Sequence, residues 1–180
     1  QLVVMVILSA HDSDRHINAL APRIFAAYPD MASLAKASPA ELVQLIAEVT
    51  GAGNKAAWLS SLARTVGSDA AIPTSLDGLV KLPGIGRKSA NVIIRESGGQ
   101  AEGIVVDLHV VRVAPRIGIA SGQRPEKIER ELMAFFPAER WNEAGMALSF
   151  LGREICRPSA PKCRQCPVQA VCNHANGGQV

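Results

Sequence analysis

Apolar positions along this chain recur mostly every three or four residues, the spacing of one helical face. The exception is Leu2 to Leu8, an unbroken apolar run whose period cannot separate a buried strand from a buried helix. Its β-branched residues lean toward strand, but the only comparable run is Ile104-Val105-Val106, and a lone strand has nothing to pair with. The run is therefore predicted to be a core helix. Ser9 to Asp14 supply polar caps for a second helix bracketed by Pro22 and Pro29. Ser38-Pro39-Ala40-Glu41 has the form of a capping box and predicts a helix to about Val49. Thr50-Gly51-Ala52-Gly53-Asn54 is a glycine-rich break. After it, apolar residues at 58, 59, 62, 63 and 66 mark an amphipathic helix over 55–66. Thr74 with Asp77 is expected to cap a short helix reaching Lys81.

From Arg87 onward Ala90, Ile93 and Ile94 share one helical face, while Lys88, Asn91 and Arg95 share another and turn away from the core. Ser97-Gly98-Gly99-Gln100 ends that helix and divides the chain into domains 1–100 and 101–180. Val106-Asp107 leads into a short helix that Pro115 stops or kinks, and two more helices follow over 125–136 and 138–156. The fold class is all-α.

Composition narrows the partner. With 180 residues, 48% of them hydrophobic, the chain can hold a real core. Its net charge is +3, and 13 of its 19 basic residues are arginine, which favours a polyanion. Seven aromatic residues are too few for a base-stacking platform, so contact with a duplex backbone is the expected mode. The run Leu2–Leu8 is too short to span a bilayer and has no basic segment before it, so no membrane role is expected. A start at Gln1 suggests a piece of a longer protein. All four cysteines fall between positions 156 and 172, too crowded to staple a domain of this size. They point to a reducing compartment and to thiols on a metal.

Two motifs carry the chemistry. Leu82-Pro83-Gly84-Ile85-Gly86-Arg87-Lys88 places a glycine-rich turn before a helix, so backbone N–H groups and the positive helix end can aim at one anion. The pattern resembles a helix-hairpin-helix element, which in its family grips a phosphate of duplex DNA. The cysteines are spaced by six, two and five residues, and only Cys163 and Cys166 form a C-x-x-C arm of the zinc-knuckle kind. Four thiolates this close can enclose an iron-sulfur cube, with zinc on the same ligands as the other reading. Arg153, Arg157, Lys162 and Arg164 face a single acid, Glu154, in this stretch, so it is expected to order a basic surface.

Together these motifs resemble the endonuclease III family of helix-hairpin-helix DNA glycosylases, over almost the whole chain from Leu2 to Cys172. The resemblance implies a six-helix barrel-like lobe with the hairpin and a second lobe with a 4Fe-4S loop, around a DNA-binding cleft. It implies that Cys156, Cys163, Cys166 and Cys172 hold the cluster. Lys88 matches the family's nucleophile and Asp107 its catalytic aspartate, and the two would face each other across the cleft. DNA contacts are expected from His11, Leu82, Gly84, Gly86, Arg87, His109 and Arg112. The implied activity is base excision repair: removal of oxidised pyrimidines from damaged double-stranded DNA, then nicking of the abasic site by β-elimination. The expected enzyme is a monomer of the cytoplasm, associated with the nucleoid.

Lysine suits this reaction only as the neutral amine, which at an ordinary pKa is roughly one molecule in a thousand near pH 7.5. A carboxylate nearby works against that form, so Asp107 is assigned to stabilising positive charge on the sugar or accepting the amine's proton. Several positions depart from the family pattern. His11 stands where a gap-filling glutamine is usual, Thr50–Asn54 replaces a loop with a bulky wedge, Leu108 replaces threonine and Leu151 replaces histidine. A segment that normally precedes Leu2 and packs on the cluster lobe is absent from this sequence. Narrower or weaker base excision is expected, with abasic-site cleavage retained. The alternatives are a damage-binding protein without catalysis and a monofunctional mismatch glycosylase, whose kind usually lacks a lysine at position 88.

Overall fold

The computed structural model describes residues 1–177, in two compact units that divide between Gly99 and Gln100. Positions 178–180, at the end of the expected second domain, lie outside the described residues. Among those described there are ten α-helices, short 3-10 turns and no strand. No helix among them is long and apolar enough to cross a membrane.

The first unit carries α1 (Leu2–Leu8), α2 (Asp14–Ala27), α3 (Met31–Leu34), α4 (Pro39–Leu45), α5 (Ala52–Val66), α6 (Leu76–Leu79) and α7 (Arg87–Glu96). The Leu2–Leu8 run is indeed a helix. Its residues Val3, Val4, Ile7 and Leu8 are buried, and it packs against α2, α5 and α7, so its all-round apolar surface is used.

Local signals placed most helix starts. Ser38 and Glu41 form the capping box as expected, with the Ser38 N–H donating to Glu41 at 2.8 Å. The helix ends at Leu45 rather than near Val49, because Ile46 leaves the helical region and Arg23 donates to the Leu45 carbonyl at 2.6 Å. Ser75, not Thr74, caps α6, accepting from the Gly78 N–H. Gly51, at φ +72°, is the N-cap of α5, so Gly53 and Asn54 belong to its first turn and the expected break is shorter. Pro22 lies inside α2 instead of bounding it. Both Pro22 and Asn18, whose carbonyl loses its helical donor, are exposed, so water can satisfy the freed group.

The second unit carries α8 (Leu108–Ile117), α9 (Pro125–Phe135) and α10 (Trp141–Glu154), then a cysteine-bearing tail of 3-10 turns. Pro115 does not stop α8, which continues to Ile117 because Ala114 and Ile117 are buried and hold the last turn. Its core joins Ile104, Val110, Val113, Ile128, Leu132 and Leu148. α10 packs closely at two of its glycines, against the segment that precedes α8 at Gly145 and against α8 itself at Gly152. A Cβ on Gly145 would lie 3.0 Å from the Val105 carbonyl oxygen, and one on Gly152 would lie 2.7 Å from the His109 Cβ.

Candidate functional site

In the first unit the hairpin is pinned from below by Leu82 and Ile85, both buried, with the Ile85 N–H donating to the Leu82 carbonyl at 3.2 Å. Leu82 thus anchors the turn, while Gly86, Arg87 and Lys88 are exposed. Gly84 turns the chain at φ +77°, and a Cβ there would meet the Trp58 ring at 3.1 Å. The N–H groups of Gly84 and Gly86 donate to nothing among the described residues. Gly86 gives α7 no side-chain cap, so the positive end of a ten-residue helix also lies open. Lys88 is the second residue of that helix. Asn91, expected on the outward face, is buried, so the core-facing side of α7 is wider than Ala90, Ile93 and Ile94 alone suggest.

His11 is exposed just beyond α1 and holds a left-handed conformation, φ +58°. The Thr50–Asn54 segment presents glycines with open space around them: nothing lies within 4 Å of a Cβ at Gly51 or Gly53.

In the second unit Asp107 is the N-cap of α8. One carboxylate oxygen accepts from the N–H groups of His109 and Val110, each at 2.9 Å, and the other accepts from the Ser149 hydroxyl at 2.6 Å. Burial pushes the Asp107 pKa up, but the hydrogen bonds from Ser149, Val110 and His109 outweigh it and leave the carboxyl below its ordinary value. The group is therefore an anion at neutral pH with little free acceptor capacity. Ser149 escaped the sequence reading, although Gly145, Ser149 and Gly152 recur as small residues at helical spacing, the sign of a close helix contact.

His109 and Arg112 share a face as expected, with the Arg112 guanidinium 3.2 Å from the His109 Nδ1. The same guanidinium donates to the carbonyls of Cys156 at 3.0 Å and Gly152 at 2.9 Å, so it holds the turn bearing the first cysteine. Arg116 adds to this, donating to the Arg157 carbonyl at 2.8 Å and reaching the Cys156 Sγ at 3.5 Å. No sequence signal singled it out.

All four cysteines are free thiols and line one apolar cavity with Ile117, Leu151, Ile155, Pro161 and Val168. No three His, Cys, Asp or Glu side chains among the described residues are grouped so as to hold a single metal ion. Zinc with 2.3 Å bonds would need its tetrahedral sulfurs roughly 3.8 Å apart. A four-iron cube would take one thiolate at each of its four irons.

The chain has relatives among known proteins. Residues 4–138 match the model of the HhH-GPD superfamily base excision DNA repair protein. The chain is 33% identical to endonuclease III of Synechocystis over 177 residues, covering 97% of this chain and 81% of that protein. It is 35% identical to endonuclease III of Bacillus subtilis, covering 96% and 80%. The chain belongs to the endonuclease III family. Among solved structures it is similar to a trapped covalent endonuclease III–DNA intermediate, with a TM-score of 0.87, 31% identity and coverage of 98% of this chain and 84% of that one. A non-covalent endonuclease III–DNA complex matches with a TM-score of 0.86, again at 31% identity. Membership makes the chain a base excision DNA glycosylase with lyase activity at abasic sites.

Proposed function

We propose that this chain binds damaged duplex DNA through the 84–87 hairpin and uses Lys88 as nucleophile and Asp107 as its electrostatic partner. The observation that carries the reading is the hairpin itself: donor groups left open beside an uncapped helix start, with Lys88 one residue inside it. A DNA phosphate supplies the negative charge that this helix end lacks.

The reaction then follows. With the base turned out of the stack, the Lys88 amine forms a bond to C1′ and loses a proton. The bond from C1′ to the base breaks, its electron pair leaving with the base, which takes up a proton. Asp107, held ionised by its three hydrogen-bond donors, stabilises the positive charge that develops on the sugar. Opening of the sugar gives an imine between Lys88 and C1′. Loss of a proton from C2′ then expels the 3′ phosphate and nicks the strand. Oxidised pyrimidines and abasic sites are the substrates of this reading. With no bulky side chain at 51–53, the range of bases is narrow and abasic cleavage dominates. His11, Arg87 and His109 complete the DNA contacts, while Leu82 and Arg112 act from behind them, by anchoring the hairpin and the Cys156 turn. The enzyme works as a monomer in the cytoplasm, on nucleoid DNA.

Cys156, Cys163, Cys166 and Cys172 would hold a 4Fe-4S cluster, whose four iron–thiolate bonds would order this basic segment for DNA. The four thiols lining one cavity support this reading. Anaerobic preparation should give a brown protein, and a colourless one containing zinc would remove the cluster.

Borohydride trapping on an abasic duplex tests the mechanism. Wild type should form a covalent adduct and Lys88→Ala none. An adduct that survives the substitution would sink the assignment of Lys88, and no adduct from either protein would favour a damage-binding role without catalysis.

A further inference from the structure

Ser149 lies within α10, only 8% exposed, between the two glycines at which this helix closes on its neighbours. Gly145 and Gly152 allow that approach with no polar group at all. Ser149 adds a hydroxyl, which is costly to bury without a partner. A helical serine commonly gives its proton to the carbonyl four residues back, here that of Gly145. This one donates instead to the second carboxylate oxygen of Asp107, 42 residues away, at 2.6 Å.

That bond is surplus to helix capping. The first oxygen of Asp107 already accepts the N–H groups of His109 and Val110, each at 2.9 Å, which is what an N-cap has to do. An ionised carboxylate offers about four lone-pair sites, two on each oxygen. The two N–H groups fill the first oxygen and Ser149 takes one site of the second, so one site stays open. The charged group that acts on this carboxyl is His109 of α8, whose positive form favours the anion, as the three donors do, against the cost of burial. From α10 the carboxyl meets Ser149, a neutral donor.

We infer that Ser149 is a positioning residue for Asp107: it leaves one lone-pair site of the second oxygen for the reacting sugar and makes the group a fixed charge rather than a proton acceptor. The inference rests on the proposed action on DNA and deepens it, since the sequence leaves both roles open for Asp107. A carboxylate that already accepts three hydrogen bonds is a weak base, and it needs no reorientation as positive charge develops on the sugar. The proton that the Lys88 amine loses then passes to water.

The test is the single-turnover rate of adduct formation on an abasic duplex, trapped with cyanoborohydride, for wild type and Ser149→Ala from about pH 4.5 to 8. At about pH 7.5 the variant should be slower by about tenfold, with affinity for the same duplex changed by less than about twofold. The ratio of variant to wild-type rates cancels the titration of Lys88. It should fall further as the pH is lowered, because without the hydroxyl Asp107 takes up a proton more readily. In an Asp107→Asn background Ser149→Ala should cost nothing further, since Ser149 acts through the charge. A variant as fast as wild type or faster, a ratio that does not change with pH, or additive losses in the double variant would overturn the inference, and the bond would then only hold α10 to α8. If Ser149→Ala does not fold, Ser149→Cys, a poorer donor of similar size, is read by the same measurements. Wild-type trapping through Lys88 is the control. Its absence overturns the functional reading and this inference together, whereas an unimpaired Ser149→Ala beside normal trapping overturns the inference alone.

Discussion

Two helix starts in this molecule solve the same electrostatic problem in opposite ways. At α7 the N-cap is Gly86, which has no side chain, and the hairpin N–H groups before it donate to nothing among the described residues. At α8 the N-cap is Asp107, whose carboxylate takes two backbone N–H groups and a serine hydroxyl. Every helix N-terminus favours a negative charge. α8 carries its own, whereas α7 and the hairpin before it leave the place open, which the proposed reading fills with a DNA phosphate.

The sharpest way to break this contrast is at the filled cap. Asp107→Asn keeps the shape and one acceptor oxygen but removes the charge. Single-turnover excision should slow by about 10²–10⁴-fold, while affinity for DNA stays within a few fold. A loss confined to affinity would mean that the carboxylate only shapes the helix.

Filling the open cap is the converse experiment. Gly86 has an extended backbone, φ −86°, and open space where a Cβ would stand, so Gly86→Asp fits without strain and would cap α7 as Asp107 caps α8. Stability should rise by a few tenths of a kcal/mol. Binding to intact and abasic duplexes should weaken together, by about tenfold or more at low salt, since the new carboxylate takes the place of a phosphate. Unchanged DNA affinity would show that the hairpin is only a corner. Gly84→Ala attacks the same turn sterically. With φ at +77° and the Trp58 ring in the way, it should cost about 1–3 kcal/mol in a urea melt, against almost nothing for alanine at Gly86.

What the sequence disclosed follows the reach of each interaction. The Ser38–Glu41 box, the Gly84–Lys88 order and the cysteine spacing are contained in short stretches, and each was readable. The Asp107 cap is equally local, since its backbone donors lie two and three residues on. Ser149 is 42 residues away, and Asp12 meets Thr50 across 38, so neither pair has a local signature. Lys55 looked like one more polar residue opening an amphipathic helix, and only the end of α1 above it shows why it is buried. The two prolines misled for a related reason. Pro22 is expected to bound its helix and Pro115 to stop or kink its own, but tertiary packing and solvent access at the freed carbonyls decide whether a helix survives them.

The smallest expected effect tests whether Asp107 is a stabilising cap as well as a catalytic charge. Its folded pKa lies below the ordinary carboxylate value, so the folded state binds fewer protons than the unfolded one across that interval. The charge therefore adds stability that is fully present above the unfolded value near 3.9 and is lost as pH falls through the lower folded value. Asp107→Asn cannot titrate. In urea melts the wild type should exceed the variant by about 1 kcal/mol, with the gap constant from about pH 5 to 8 and closing below about pH 4. A gap that instead widened in acid would mean that burial, not the three donors, governs this carboxyl, and the filled cap would then be a strained site held by packing between α8 and α10.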